Sequence, residues 1–142
     1  MASLSAFLKP TYTEKKIEVI VGDRFKDEDG NPVAIVMKSL TQSQMQAISK
    51  QSTKEKKVNG KVVRDIDMNE HLNRCLVESI VFPDMRSKEL CEAYGTLDPV
   101  TLPSRMFLIG EYQKLAQAFA ELNGLDSEDD LEDTTDEITK NS

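Results

Sequence analysis

His71 and Cys75 stand four residues apart, a spacing that puts two side chains on one face of a helix. An imidazole and a thiol so placed offer two corners of a zinc tetrahedron, or the two reacting partners of a thiol nucleophile. Closing a zinc site takes one or two further soft ligands, and only Cys91 remains, with no Cys-x-x-Cys pair near it. A nucleophilic thiol needs a base, an orienting partner and a cause for thiolate formation, none of which helical spacing supplies. A second constellation is Asp27-Glu28-Asp29-Gly30, which superficially resembles an EF-hand calcium loop. With Gly30 at the sixth position of such a loop, Phe25 falls first and Val36 twelfth, where calcium needs oxygen ligands. Calcium binding therefore fails on chemistry, and the acidic knot reads as a solvated turn. No phosphate-cradling glycine motif and no Gly-x-Ser-x-Gly occurs. The expectation is a protein with no enzymatic activity, cofactor or metal, whose function lies in a surface.

The elements around those residues are legible from periodicity and punctuation. Ile17, Val19 and Val21 alternate with polar residues before the knot, and Val33, Ile35 and Met37 alternate after it, predicting a β-hairpin with a wide charged tip. Thr41 and Gln44 have capping-box spacing and open a short helix carrying Met45 and Ile48. Asn59-Gly60, flanked by Val58 and Val62, predicts a second hairpin, rich in Lys54, Lys56, Lys57, Lys61 and Arg64. From an Asp67 cap, Met68, Leu72, Cys75, Leu76 and Ile80 share a helix face that Pro83 ends. Ser87 caps a helix bearing Leu90, Cys91 and Tyr94 and stopped by Gly95. Asp98 and Pro99 open another whose start Pro103 delays or kinks. The last helix carries Tyr112, Leu115, Ala116, Phe119 and Leu122 to Gly124.

Charge divides the chain unevenly. Of 18 Lys plus Arg and 25 Asp plus Glu, residues 1–125 hold 17 of each, while residues 126–142 hold 8 acidic residues against Lys140, which accounts for the net charge of -7. With only Leu131 and Ile138 as large apolar residues, the tail has too little to bury to offset the entropy of ordering it. The sequence thus predicts an α+β fold: one compact domain over 1–125, with N-terminal β-hairpins followed by a mostly α-helical body, and a disordered acidic tail over 126–142. That tail reads as a solubilising appendage, or as an arm that guards a surface or docks on a basic partner. No apolar run reaches the roughly 20 residues of a membrane span, and "MASLSAFLKP" is too short and polar for a signal peptide, so the expected compartment is cytoplasm. The two cysteines build no disulfide framework and read as small buried thiols.

Four blocks, in this order and spacing, resemble the XkdN-like tail assembly chaperones of contractile-tailed phages and phage-derived tail elements. They are "VGDRFKDEDGNPVAIVMKSLTQSQ", the basic turn "KKVNGKVVRD", "VFPDMRSKELCEAYG" and "MFLIGEYQKLAQAFAELNG", within roughly Val19 to Gly124. The resemblance implies a non-enzymatic protein of the bacterial host cytoplasm, absent from the mature particle, that binds the tape measure protein and keeps it soluble until tail tube subunits assemble around it. It further implies that this chain is the short partner of a frameshifted, C-terminally extended longer form. It transfers no active-site residue; Gly110 to Tyr112 and Pro83-Asp84 match positions that look structural. Where family members often carry an aromatic residue after the first hairpin turn, this chain has "PVAIVMK".

A chaperone of that kind must cover exposed apolar helix faces in its client, and an amphipathic groove meets that demand. The candidate partner-binding surface is Met106, Phe107, Leu108, Ile109, Tyr112, Leu115 and Phe119, which compete for the alternative role of the domain's own core. A repetitive client and an electrically neutral body favour a homo-oligomer. Two other function classes stay open: a structural tail or adaptor subunit retained in the particle, and a nucleic-acid-binding regulator using the 54–64 hairpin. The latter is the weaker, because that hairpin has no aromatic residue on which bases could stack.

Overall fold

A computed structural model describes residues 3–125; the acidic tail over 126–142 lies outside the described residues. A single helical turn, α1 (Ser5–Leu8), which the sequence pattern does not predict, precedes the first strand. β1 (Lys16–Val19) then pairs antiparallel with β2 (Ile35–Lys38), as the alternating pattern predicts. The register sets Ile17 opposite Met37 and Val19 opposite Ile35, so both apolar pairs face the same side, toward the core. At the tip, Asp27 Oδ1 accepts from the amides of Asp29 and Asn31, each at 2.9 Å, and Gly30 takes φ +82. Asp27 therefore spends its oxygen on the backbone of its own turn.

The Thr41 cap forms as expected, with its hydroxyl accepting from the Gln44 amide and the Gln44 side chain accepting from the Thr41 amide, and it opens α2 (Gln42–Gln51). β3 (Thr53–Val58) and β4 (Lys61–Ile66) make a separate two-stranded hairpin whose turn residues Asn59 and Gly60 have φ 53 and 78, the mirror-image turn that suits strand twist. Its base is fixed: Ser52, fully buried, donates from Oγ to the Ile48 carbonyl at 2.8 Å, and the Asp67 amide donates to the Ser52 carbonyl at 2.9 Å. Beyond that base nearly every residue of both strands is exposed on both faces.

Asp67 caps α3 (Met68–Ser79), but two expectations for this helix are overturned. It ends at Ser79 instead of running to Pro83, and Ile80 leaves the helix face to begin β5 (Ile80–Phe82). β5 pairs antiparallel with β2, completing a sheet of order β1-β2-β5. Ile80, Val81 and Phe82 are β-branched or aromatic and precede a proline, which biases Phe82 toward extended backbone. Ser79 secures the switch by donating from Oγ to the Lys38 carbonyl at 2.7 Å. Met68, expected on the buried face, is exposed, because it is the first helical residue and lies outside the packed turns.

α4 (Lys88–Ala93) follows its Ser87 cap, and Gly95 takes φ +75 at its end. The Asp98-Pro99 segment is a short 3-10 turn, Pro99–Thr101, running into α5 (Leu102–Met106), where Pro103 occupies the first turn and costs no helical hydrogen bond. α6 (Ile109–Leu122) is the long helix expected. α3 lies centrally, packed on α2, α5 and α6, while α6 also packs on β1. Between these layers Met37, Leu76, Met85, Leu102 and Leu115 are fully buried, forming one core.

Candidate partner-binding surface

The turn joining α5 to α6 is held by an ion pair that no local pattern announces. Arg24, in the loop after β1, donates from Nε to Glu111 Oε2 at 2.9 Å and from Nη2 to Glu111 Oε1 at 2.6 Å. The same Nη2 donates to the Met106 carbonyl at 2.8 Å, at the end of α5. Glu111, buried in the first turn of α6, also accepts from the Leu108 amide at 2.8 Å, half of a capping box. The Arg24 hydrogen bonds, helped by that amide, hold the Glu111 carboxyl below its ordinary value against the opposing effect of burial. Phe25 meets Phe107 edge to face, with ring centroids 6.1 Å apart, and the Arg24 guanidinium carbon lies 4.8 Å from the Phe25 centroid. Two charges, two rings and one carbonyl thus fix the conformation of Phe107 and Leu108.

This clamp separates two apolar hollows. One, of about 340 Å³, runs between the hairpin and α4 and is lined by Phe25, Ile35, Phe82, Leu90, Tyr94 and Met106. The other, about 440 Å³ and more open, lies between α3 and the start of α6, lined by Asn69, Leu72, Ser104, Phe107, Ile109 and Tyr112. Buried Asn73 stiffens the second hollow: it donates from Nδ2 to Ser104 Oγ at 2.8 Å and accepts from the Tyr112 hydroxyl through Oδ1. Burial pushes the Tyr112 phenol up, so it remains a neutral donor.

The seven candidate residues are divided by the fold. Met106, Phe107, Leu115 and Phe119 are buried in the core, Tyr112 is half-buried, and Leu108 and Ile109 stand out at 58% and 80% exposure. Phe107, Ile109 and Tyr112 converge on the α3–α6 hollow, while Met106 backs the other. Leu115 and Phe119 reach neither. Sequence reasoning missed Arg24, Phe25, Phe82 and Glu111; the available signal was two opposite charges in two of the blocks that carried the resemblance, 87 positions apart.

The residues with catalytic or metal-binding types are placed for other work. His71 Nε2 lies 3.2 Å from Ser49 Oγ, and its Nδ1 is 3.9 Å from Cys75 Sγ. Burial pushes the Cys75 thiol up to about 11, which keeps it protonated and unreactive at neutral pH. Cys91 is buried elsewhere, its Sγ 3.7 Å from the Met85 carbonyl. Among the described residues no three His, Cys, Asp or Glu side chains are gathered to hold a metal ion, and no helix is long and apolar enough to cross a membrane.

Residues 4–139 match the family described as "Phage XkdN-like tail assembly chaperone protein, TAC". The chain belongs to that family. It is 37% identical over 129 residues to the phage-like element PBSX protein XkdN of Bacillus subtilis (strain 168), covering 89% of this chain and 86% of the relative. It is also 37% identical over 133 residues to the uncharacterized protein YqbN of the same strain, covering 92% and 87%. The crystal structure of protein YqbN superposes with a TM-score of 0.72 at 31% identity, over 87% of this chain and 98% of that one. The α+β architecture and the phage-tail assignment are therefore family properties, and this XkdN-like chain is a tail assembly chaperone by family.

Proposed function

We propose that this XkdN-like chaperone binds the tape measure protein and keeps it soluble while the tail tube is assembled. The observation that carries the reading is the exposed Leu108-Ile109 pair, held rigidly at the start of α6 beside an apolar hollow. A tape measure chain presents apolar helix faces that have no tube around them until assembly. Such a face docks by inserting side chains at i, i+3, i+4 and i+7 into a groove. Leu108, Ile109, Phe107 and Tyr112 offer a ledge and a hollow for that geometry, while Leu115 and Phe119 support it from inside. Because the clamp fixes the ledge before the client arrives, little ordering entropy is lost at binding. The protein then acts in the host cytoplasm and leaves before the tail is complete. Self-association along a repetitive client, and pairing with a longer form of the same chain, belong to the same reading.

Co-expression with the tape measure protein tests it. The client is expected to move from pellet to supernatant and to co-purify with this chain. The double variant Leu108→Ser, Ile109→Ser should lose that effect by tenfold or more while its thermal unfolding matches the parent. A client that stays soluble and builds tails of normal length without this chain overturns the proposal.

A further inference from the structure

The β3–β4 hairpin presents charge and apolar surface that its own domain does not cover. Its residues, Thr53 to Ile66, carry five basic and two acidic side chains, a balance of +3. Cross-strand pairing sorts them: Lys56 with Val63 and Val58 with Lys61 share one face, and Lys57 with Val62 lies on the other. Lys54 is paired with Glu70 at 3.2 Å and Arg64 with Glu55 at 3.3 Å. Lys56, Lys57 and Lys61 have no ion-pair partner among the described residues. Val58, Val62 and Val63 beside them are exposed. A two-stranded hairpin free on both faces is marginal in water, so a covering segment would stabilise it.

We infer that the chain's own acidic C-terminal segment, residues 126–142, docks in cis on this hairpin. The sequence "DSEDDLEDTTDEITKNS" supplies 8 carboxylates for the unpaired lysines, and Leu131 and Ile138 for the exposed valines. Reach is sufficient. Asn123 lies two residues before the segment's anchor at Leu125, and its Oδ1 accepts from the Leu40 amide at 2.8 Å, at the start of α2. From there α2 spans about 15 Å to the hairpin base, and the strands extend about 20 Å to the tip. Seventeen residues reach up to about 55 Å, so every lysine of the hairpin lies within range. Single exposed ion pairs are weak and screened by salt, but tethering raises the local concentration of the segment to the millimolar range, where several weak pairs together hold. The nucleic-acid reading of the hairpin would require the same lysines and offers no apolar partner for the valines. This inference stands apart from client binding, which uses the Leu108-Ile109 ledge at the start of α6.

A nitroxide on Thr134→Cys in the full chain tests the contact, because Cys75 and Cys91 are buried thiols that resist labelling. In about 20 mM salt the amides of Lys56 to Val63 are expected to lose at least half their NMR intensity, and to recover it in about 1 M salt. The variant Lys56→Gln, Lys57→Gln, Lys61→Gln should recover that intensity even at low salt. Broadening on another surface, no broadening, or broadening that appears only between differently labelled copies overturns the proposal. So does a hairpin that ignores the label yet shifts on addition of a short DNA duplex at low salt.

Discussion

The Arg24–Glu111 clamp and the β3–β4 hairpin are both rich in charge, yet they use it in opposite ways. In the clamp a buried carboxylate is met by a bidentate guanidinium, a backbone amide and two packed rings, so both of its oxygens have partners and the surrounding chain is fixed. In the hairpin, lysines stand on both faces, valines are left in water, and the ties to the body lie near the base, through Ser52, Thr53, Asp67 and the Lys54–Glu70 ion pair. Charge rigidifies where burial removes competing water, and only solubilises or attracts where it does not. The ledge proposed for client binding sits on the rigid region and the face proposed for tail docking on the loose one.

The largest contrast should come from truncating apolar side chains in the two regions. Leu115→Ala removes a fully buried side chain from the core and is expected to cost about 3 kcal/mol in urea unfolding. Val62→Ala in the exposed hairpin should cost under about 1 kcal/mol. Comparable losses at both sites would break the comparison.

Much of this division was readable in the sequence, and the rest was hidden for a physical reason. The caps at Thr41, Asp67 and Ser87, the Asn59-Gly60 turn and the alternating strands are local, so they appear where the pattern puts them. The exit of Ile80–Phe82 into a strand was missed because Ile80 fits the apolar face of the preceding helix equally well; pairing with β2, more than forty positions away, decides it. The clamp was missed because an ion pair across 87 positions has no period. For the same reason the apolar stripe from Met106 to Phe119 could be recognised, but its division into four core residues, one half-buried ring and an exposed ledge could not.

A middling effect is expected from Glu111→Gln, and its pH dependence sharpens the comparison. Gln keeps an oxygen for the Leu108 amide but offers Arg24 no charge, so Tm at pH 7 should fall by roughly 5 °C. The folded-state carboxyl titrates below its ordinary value of 4.5, chiefly because of Arg24. Its contribution is therefore complete above that value and is lost as pH falls through the lower folded-state value. The Tm gap between parent and variant should thus close under acid. A gap that stays constant to pH 3 would show that the lost stability came from packing and not from the charge.

The smallest global effect is expected from Gly60→Ala. Gly60 holds φ +78, a left-handed conformation that costs an alanine about 1 kcal/mol, and nothing lies within 4 Å of the added methyl, so backbone strain is the whole penalty. That penalty falls on a unit whose contacts are almost all internal. Local opening of β3 and β4 should become about fivefold more frequent, read as faster amide exchange from Lys54 to Asp65, while Tm shifts by less than about 2 °C. If Gly60→Ala lowers Tm as much as Glu111→Gln does, the hairpin unfolds together with the core. The distinction between a rigid ledge and a separately opening hairpin then fails.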